Sequence, residues 1–323
     1  QLSGLVFGAD NCAYWSTFNA SAPSNWKAVS DQAEDFLAGT AKDDVLYVHD
    51  GSHIYAYDAD SFRLLQDCGP MDSSWLWSDA APAPAIDGLF DMIVGVCSGG
   101  TVLEMVNPED GTLVYWMLTG DFAYDPMAAV AYCGSSIMDY PYNSYTTYYN
   151  CPTNSYYVLT EGGALWKFNI CAYDNGNAYG LARTHLGNTG LLPNVASMTY
   201  DEATGYLLLS SCQYGETILY AINPETQMAF PMGDFGDQVW PVVSLYQYER
   251  IQDLTMKLRP AVGSLFEGET MELTAQVLPT AYENAVIWSS SDSAVATVDE
   301  NGLVTALKEG TATITATSVA TDA

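Results

Sequence analysis

Three aspartates, Asp35, Asp79 and Asp125, each stand at the edge of a short apolar run, at 36–38, 80–86 and 127–132. If folding gathers them, carboxylates spaced roughly 5–10 Å apart can act as acid and base, or as acid and nucleophile, on a glycosidic bond. Two facts weigh against that chemistry. No arginine or histidine neighbours them as a set, and the 28 acids against 5 bases up to residue 248 put a carboxylate near almost any point. The competing role for such residues is to cap turns.

Other chemistry is thinner. His49 and His53 flank the Asp50-Gly51 turn, where a cross-strand pair can ligate a metal. Asp58 and Asp60 offer oxygens to calcium, although neither fits an EF-hand loop. Neither a phosphate-cradling loop ending in Lys-Ser/Thr nor a Gly-x-Ser-x-Gly elbow occurs, which removes the motif support for nucleotide hydrolysis and serine-esterase chemistry. No cofactor is therefore expected, with calcium the one candidate ion. Seven cysteines without a CxxC pair argue against zinc. Cys133 and Cys151 bracket a polar insertion that a disulfide could staple in an oxidising compartment.

That insertion carries Tyr140, Tyr142, Tyr145, Tyr148 and Tyr149. Tyrosine on a loop gives contact area and a hydroxyl at low entropic cost, which suits a ligand-binding surface; the alternative is that the rings fold back as a plug. Trp75 and Trp77, in a loop at 73–78, form a second aromatic pair that either stacks on sugars or packs inside.

The elements that must position these residues repeat. Five alternating apolar runs end in Asn or Asp: 13–19, 53–58, 102–107, 165–169 and 218–223. Four follow a small turn, at Asp50-Gly51, Gly99-Gly100, Gly162-Gly163 and Tyr214-Gly215, itself preceded by another β-like run. A further strand then ends near Gly69, Gly120, Gly187 or Gly233. Units of four strands with irregular spacing predict the blades of an all-β propeller. The first unit lacks its leading strand, and a run at 241–246 supplies it. A five-bladed ring over 1–248, closed by that strand on the first blade, leaves no open edge. The segment Leu219-Tyr-Ala-Ile-Asn-Pro-Glu-Thr226 resembles quinoprotein-like and YVTN-like propeller repeats, but the tryptophan docking motif of quinoproteins is absent and no quinone is expected.

From about residue 249 the composition shifts: cysteine disappears while Thr and Val rise. Met271, Leu273, Ala275 and Val277 alternate with polar residues, as do Ala312, Ile314 and Ala316, the period of a sandwich strand. Trp288 suits a sandwich core, and Glu300-Asn301-Gly302 suits a hairpin. The whole pattern resembles the group 2 bacterial immunoglobulin-like family, found in intimin- and invasin-type adhesins and clostridial surface proteins. That resemblance implies a β-sandwich at 249–323, an extracellular or wall-associated bacterial setting, and no catalytic residues. Family members carry one more strand, so the natural protein is expected to continue past Ala323.

A net charge of -30, from 39 acids and 9 bases, excludes nucleic-acid binding through phosphates and disfavours anionic membranes. No apolar run reaches the ~18 residues of a membrane span. The sequence thus predicts a monomeric, secreted or surface-held protein whose propeller head binds a glycan or protein without catalysis. A glycoside hydrolase or lyase using the carboxylates is the rival reading, and a structural spacer of a larger adhesin is the third.

Overall fold

The computed structural model describes the chain apart from residues 1, 9, 11, 34–35, 43, 60, 72–76, 86–91, 98–101, 119–121, 123, 144–145, 174–177, 194, 214, 237–241, 248–254, 260–262, 279–285 and 319–323. Side chains are also not described at 32, 115–118, 140–143, 146–148, 173, 178, 213, 255–259, 275–278, 286 and 318. The chain forms two compact units, Gln1–Glu249 and Arg250–Ala323.

The first unit is five four-stranded antiparallel sheets. Blade one holds β1 (Leu2–Phe7), β2 (Ala13–Asn19) and β3 (Ala22–Ala33). Blade two is β4 (Ala38–Lys42), β5 (Val45–His49), β6 (His53–Asp58) and β7 (Leu64–Pro70). Blade three is β8 (Trp77–Ala83), β9 (Met92–Cys97), β10 (Val102–Val106) and β11 (Leu113–Leu118). Blade four is β12 (Met127–Asn143), β13 (Thr146–Thr160), β14 (Ala164–Tyr173) and β15 (Ala178–Asn188). Blade five is β16 (Val195–Asp201), β17 (Tyr206–Gln213), β18 (Glu216–Ile222) and β19 (Ala229–Asp234). The last strand, β20 (Val243–Tyr246), pairs with β1 and completes blade one.

Five apolar cores fill the five gaps between blades. Trp15, Phe36, Leu46 and Tyr246 join blades one and two; Ile54, Trp77 and Ile93 join two and three; Met92, Phe122, Tyr156 and Phe168 join three and four. Leu159, Leu165, Leu207 and Ile222 join four and five. Leu2, Phe18, Leu219 and Phe235 then join five to one, which closes the ring. A central strand covered on both faces reads as an unbroken apolar run rather than an alternating one, and every residue of β9 is buried.

The repeated Asn or Asp after the third strand has a repeated task. Asn19, Asp58, Asn107 and Asn223 each accept from a backbone N–H two or three residues on, at 2.7–3.1 Å. In blades two, three and five the turn closes through a residue with left-handed backbone: Phe62 (φ 53°), Gly111 (φ 73°) and Gln227 (φ 58°). The outer-strand glycines have a task as well. A Cβ on Gly69, Gly187 or Gly233 would meet the turn or outer-strand start of the next blade, at Asp110, Gln227 and Pro23.

The second unit pairs β21 (Thr255–Arg259) with β23 (Thr274–Leu278), and β24 (Val286–Ser290) with β27 (Ile314–Ser318). A third sheet orders β22 (Thr270–Glu272), β26 (Leu303–Ala306) and β25 (Ala296–Val298). Asp299 caps the hairpin, accepting from Asn301 N at 2.9 Å and Leu303 N at 2.8 Å, while Gly302 takes φ 82°. The half-buried Trp288 lies against Gly302, where a Cβ would come within 2.8 Å of the indole.

Candidate functional site

Inner strands of a propeller have one unpaired edge facing the axis, and its buried N–H groups need acceptors. Asp79 on β8 supplies one. Its Oδ2 accepts from Val130 N on β12 and from Met198 N on β16, both at 3.0 Å. Oδ1 accepts from Ser197 Oγ at 2.9 Å, and that hydroxyl accepts from Leu245 N on β20 at 2.8 Å. One carboxyl therefore ties blade three to blades four and five, and through Ser197 to blade one. Leu245 N is free to point inward because β20 bulges opposite Gly4, between the pairs Ser3–Tyr246 and Leu5–Val243. Ser244 absorbs the bulge with φ 54°. Asp79 is 1% exposed, and burial pushes its pKa up to about 8 against the pull of its donors. Near neutral pH the protonated form is favoured, its Oδ1–H donating to Ser197 Oγ in place of the bond accepted from it when ionised.

Beyond this joint the axis opens into a cavity of about 180 Å³. All five inner strands line it, with Thr40, Pro82, Tyr132, Tyr200 and Tyr246 among the contributors and Glu202 and Gln247 beside them. The cavity lies toward the C-terminal ends of these strands. From that same end β12 runs on past Tyr132 into a long arm with β13, paired as far as Tyr140–Tyr148 and Asn143–Thr146. The base of the arm is tethered: Tyr132 OH donates to Ser135 Oγ at 2.6 Å, which donates to Asn154 Oδ1 at 2.6 Å, whose amide donates to Pro84 O at 3.1 Å. Along the arm Ile137 (67% exposed) and Tyr149 (74%) face solvent.

The expected loop is thus a strand pair, for which the dense Tyr and Thr content supplies the propensity. Tyr149 is exposed, as a ligand surface requires. The side chains of Tyr140, Tyr142 and Tyr148 lie outside the described set, as do Tyr145 and Trp75 altogether. Trp77 needs correction: it opens β8 rather than lying in a loop, is 4% exposed, and donates through Nε1 to buried Glu104 at 2.8 Å. Gly95 makes room for it, since a Cβ there would meet the indole. Trp77 is a core residue between blades.

Among the described residues, Asp79 and Asp125 do not assemble into an acid–base pair. Asp125 sits before β12, at the end of the axis opposite the cavity, and accepts from Thr160 Oγ1 and Gly162 N, both at 2.6 Å. It fastens a turn. Asp35 lies outside the described residues. The two histidines diverge: His49 is buried edge-on to Trp77 at 5.1 Å, while His53 Nδ1 meets Asp67 at 3.0 Å. Burial lowers the His49 pKa to about 4. Asp58 accepts from both N and Oγ of Ser61, and Asp60 is not described. Among the described residues no three His, Cys, Asp or Glu side chains converge as a metal site. Cys133 and Cys151 are free and far apart along the β12–β13 ladder, where Met138 and not Cys133 faces Cys151.

Sequence reasoning did not find the cavity residues Tyr132, Tyr200 and Gln247. The signal was present in the sequence: Tyr132 and Tyr200 each end the apolar run that opens the leading strand of a blade. A larger hollow of about 630 Å³ opens in the second unit, but its lining, including Leu273, Val304 and Ile314, is the inner face of the sandwich itself.

Residues 255–323 match the family model of the bacterial Ig-like domain (group 2). Among curated proteins, a 3-O-alpha-D-galactosyl-alpha-L-arabinofuranosidase of Bifidobacterium longum subsp. longum is 57% identical over 59 residues, 18% of this chain and 5% of that protein. A lacto-N-biosidase of Bifidobacterium bifidum is 51% identical over 55 residues, 17% of this chain and 5% of that protein. The chain thus spans about a twentieth of each of these relatives, and the shared stretch is the Ig-like segment. Among solved structures, a putative 6-phosphogluconolactonase from Bacteroides uniformis aligns over 97% of this chain and 98% of its own at 12% identity and a TM-score of 0.36. A protein from Lactobacillus plantarum aligns over 95% and 80%, at 10% and 0.36. The propeller assignment rests on sheet order, ring closure and the five inter-blade cores.

Proposed function

We propose that this chain is a non-catalytic recognition protein of the bacterial exterior, in which the propeller binds a glycan or a protein segment and the Ig-like module spaces it from its anchor. The observation that carries this reading is the state of Asp79. The axial carboxyl of β8 is buried and committed to N–H and O–H donors on β12 and β16, so its oxygens are engaged inside the joint of the ring and not with a substrate. Asp125 is equally committed, to a turn at the other end of the axis. Neither is placed to protonate a leaving group or activate water.

The binding face is the end of the ring that bears the axial cavity and the β12–β13 arm. Tyrosines with a few polar groups are the usual furniture of glycan and peptide sites, and the cavity admits something of the size of one sugar ring or one side chain. The acidity of the first unit favours neutral or cationic ligands over polyanions. The occurrence of similar Ig-like segments in enzymes named for arabinofuranoside and lacto-N-biose cleavage supports a glycan-rich setting. A glycan array probed with the full chain and with Tyr200→Ala tests the reading: binding by the first and not by the second is expected, and unaltered binding by the variant removes the cavity from it.

A further inference from the structure

The cysteine that the structure brings to Cys151 is Cys171. Both are buried, at 3% and 0% exposure, on adjacent strands β13 and β14. Cys171 pairs with Thr153, the last pair of that ladder. Cys151 lies two residues further along β13 and so faces the same side of the sheet as Thr153, diagonal to Cys171. Burial raises the Cys171 pKa, and the nearby Cys151 thiol raises it further. The β13–β14 ladder stops at this pair, so no backbone bond between these two strands fixes their separation beyond it, and a small shift of the strand ends brings the thiols to disulfide distance. Asn150, immediately before Cys151, has left-handed backbone (φ 54°) and so bends β13 at this point.

We propose that Cys151 and Cys171 form a disulfide when the protein folds in an oxidising compartment. One thiolate attacks an organic disulfide such as oxidised glutathione, giving a mixed disulfide and releasing one thiolate of the oxidant. The second cysteine then displaces the other, so that the protein loses two electrons and two protons and the oxidant gains them. Since neither thiol reaches solvent in the folded ring, and burial raises that of Cys171 further, the exchange belongs to folding and not to the finished protein. The bridge closes a loop containing the turn between β13 and β14 and clamps the base of the tyrosine-bearing arm to the centre of blade four. It holds independently of which ligand the arm meets.

The test uses the full chain produced in an oxidising secretory compartment, alkylated in denaturant and digested without reduction. The expected product is a cross-linked peptide pair containing Cys151 and Cys171, with the other five cysteines alkylated. Alkylation of all seven, or a link from Cys151 to Cys133, overturns the proposal. A second readout guards against poor folding of variants. Reductant should lower the Tm of the wild type and of Cys133→Ser by roughly 5–10 °C. It should leave Cys171→Ser unmoved, and an equal reductant effect on Cys171→Ser also overturns the bridge.

Discussion

Asp79 Oδ2 lies 3.0 Å from the backbone nitrogen of Met198, a residue 119 positions later on the inner strand of another blade. The contact spans non-adjacent blades, and it converts what the sequence presents as a catalytic candidate into a joint of the ring.

Replacing Asp79 by alanine strands Val130 N, Met198 N and Ser197 Oγ in the buried joint. The expected loss is about 3 kcal/mol or more in urea unfolding, since each unsatisfied buried group costs roughly 1–3 kcal/mol. Asp79→Asn keeps an oxygen for the two N–H groups and offers an amide to Ser197 Oγ, so its stability should lie within about 1 kcal/mol of wild type near pH 5.

The pH profile separates the two buried titratable groups. Unfolded Asp79 ionises near 3.8 and folded Asp79 near 8. Its contribution is therefore full below pH 4 and declines as pH rises to 8, by up to about 1.4 kcal/mol per pH unit. His49 acts in the opposite sense: with 6.5 unfolded and about 4 folded, its contribution is full above pH 6.5 and is lost as pH falls toward 4. Urea midpoints of wild type and Asp79→Asn should therefore diverge in favour of the variant from pH 4 to 8. Parallel curves would contradict the buried neutral acid.

The turns after the third strands of blades one, two, three and five were legible because their chemistry is local, whereas the run expected to end at Asn169 continues to Tyr173, and Asn169 accepts from Ser155 Oγ instead. An Asn or Asp that reaches back to its own backbone marks the end of the strand whatever it packs against. Gly69, Gly187 and Gly233 were visible as strand ends, but not as sockets for the neighbouring blade, since that contact joins residues some 40 positions or more apart. Trp77 misled for the same reason: its partner Glu104 and its gap at Gly95 lie on other strands. The Asp79 joint was illegible because a carboxylate beside an apolar run looks alike whether it faces substrate or the N–H groups of opposite strands. Cys133 and Cys151 bracket the tyrosine-rich insertion in the sequence, whereas strand pairing places Cys171, and not Cys133, on the neighbouring strand diagonal to Cys151.

Gly111 and Gln227 occupy equivalent turns with opposite fitness. Gly111→Ala sets a Cβ 2.9 Å from Pro70 O at φ 73° and should cost about 1–2 kcal/mol. Gln227→Gly relieves left-handed strain but loses the bond from its amide to Pro224 O, so the two effects, each about 1 kcal/mol, should nearly cancel. Thermal unfolding of both variants checks the pair.

Trp77→Phe keeps most of the ring volume and removes the indole donor to Glu104. It should lower stability by about 2 kcal/mol and leave ligand binding unchanged. Tyr149→Ala, at an exposed site on the arm, should do the reverse, weakening binding with no measurable shift in Tm. A binding loss in the folded Trp77 variant would return that residue to the ligand surface.

The central claim is recognition without catalysis, and glycan-array incubation of the wild type beside Asp79→Asn, with the integrity of the bound glycans read afterwards, tests it most directly. The account predicts the same binding pattern for both proteins and intact glycans under each. Shortened glycans under the wild type, with intact ones under a folded Asp79→Asn, would contradict it and make Asp79 a catalytic acid.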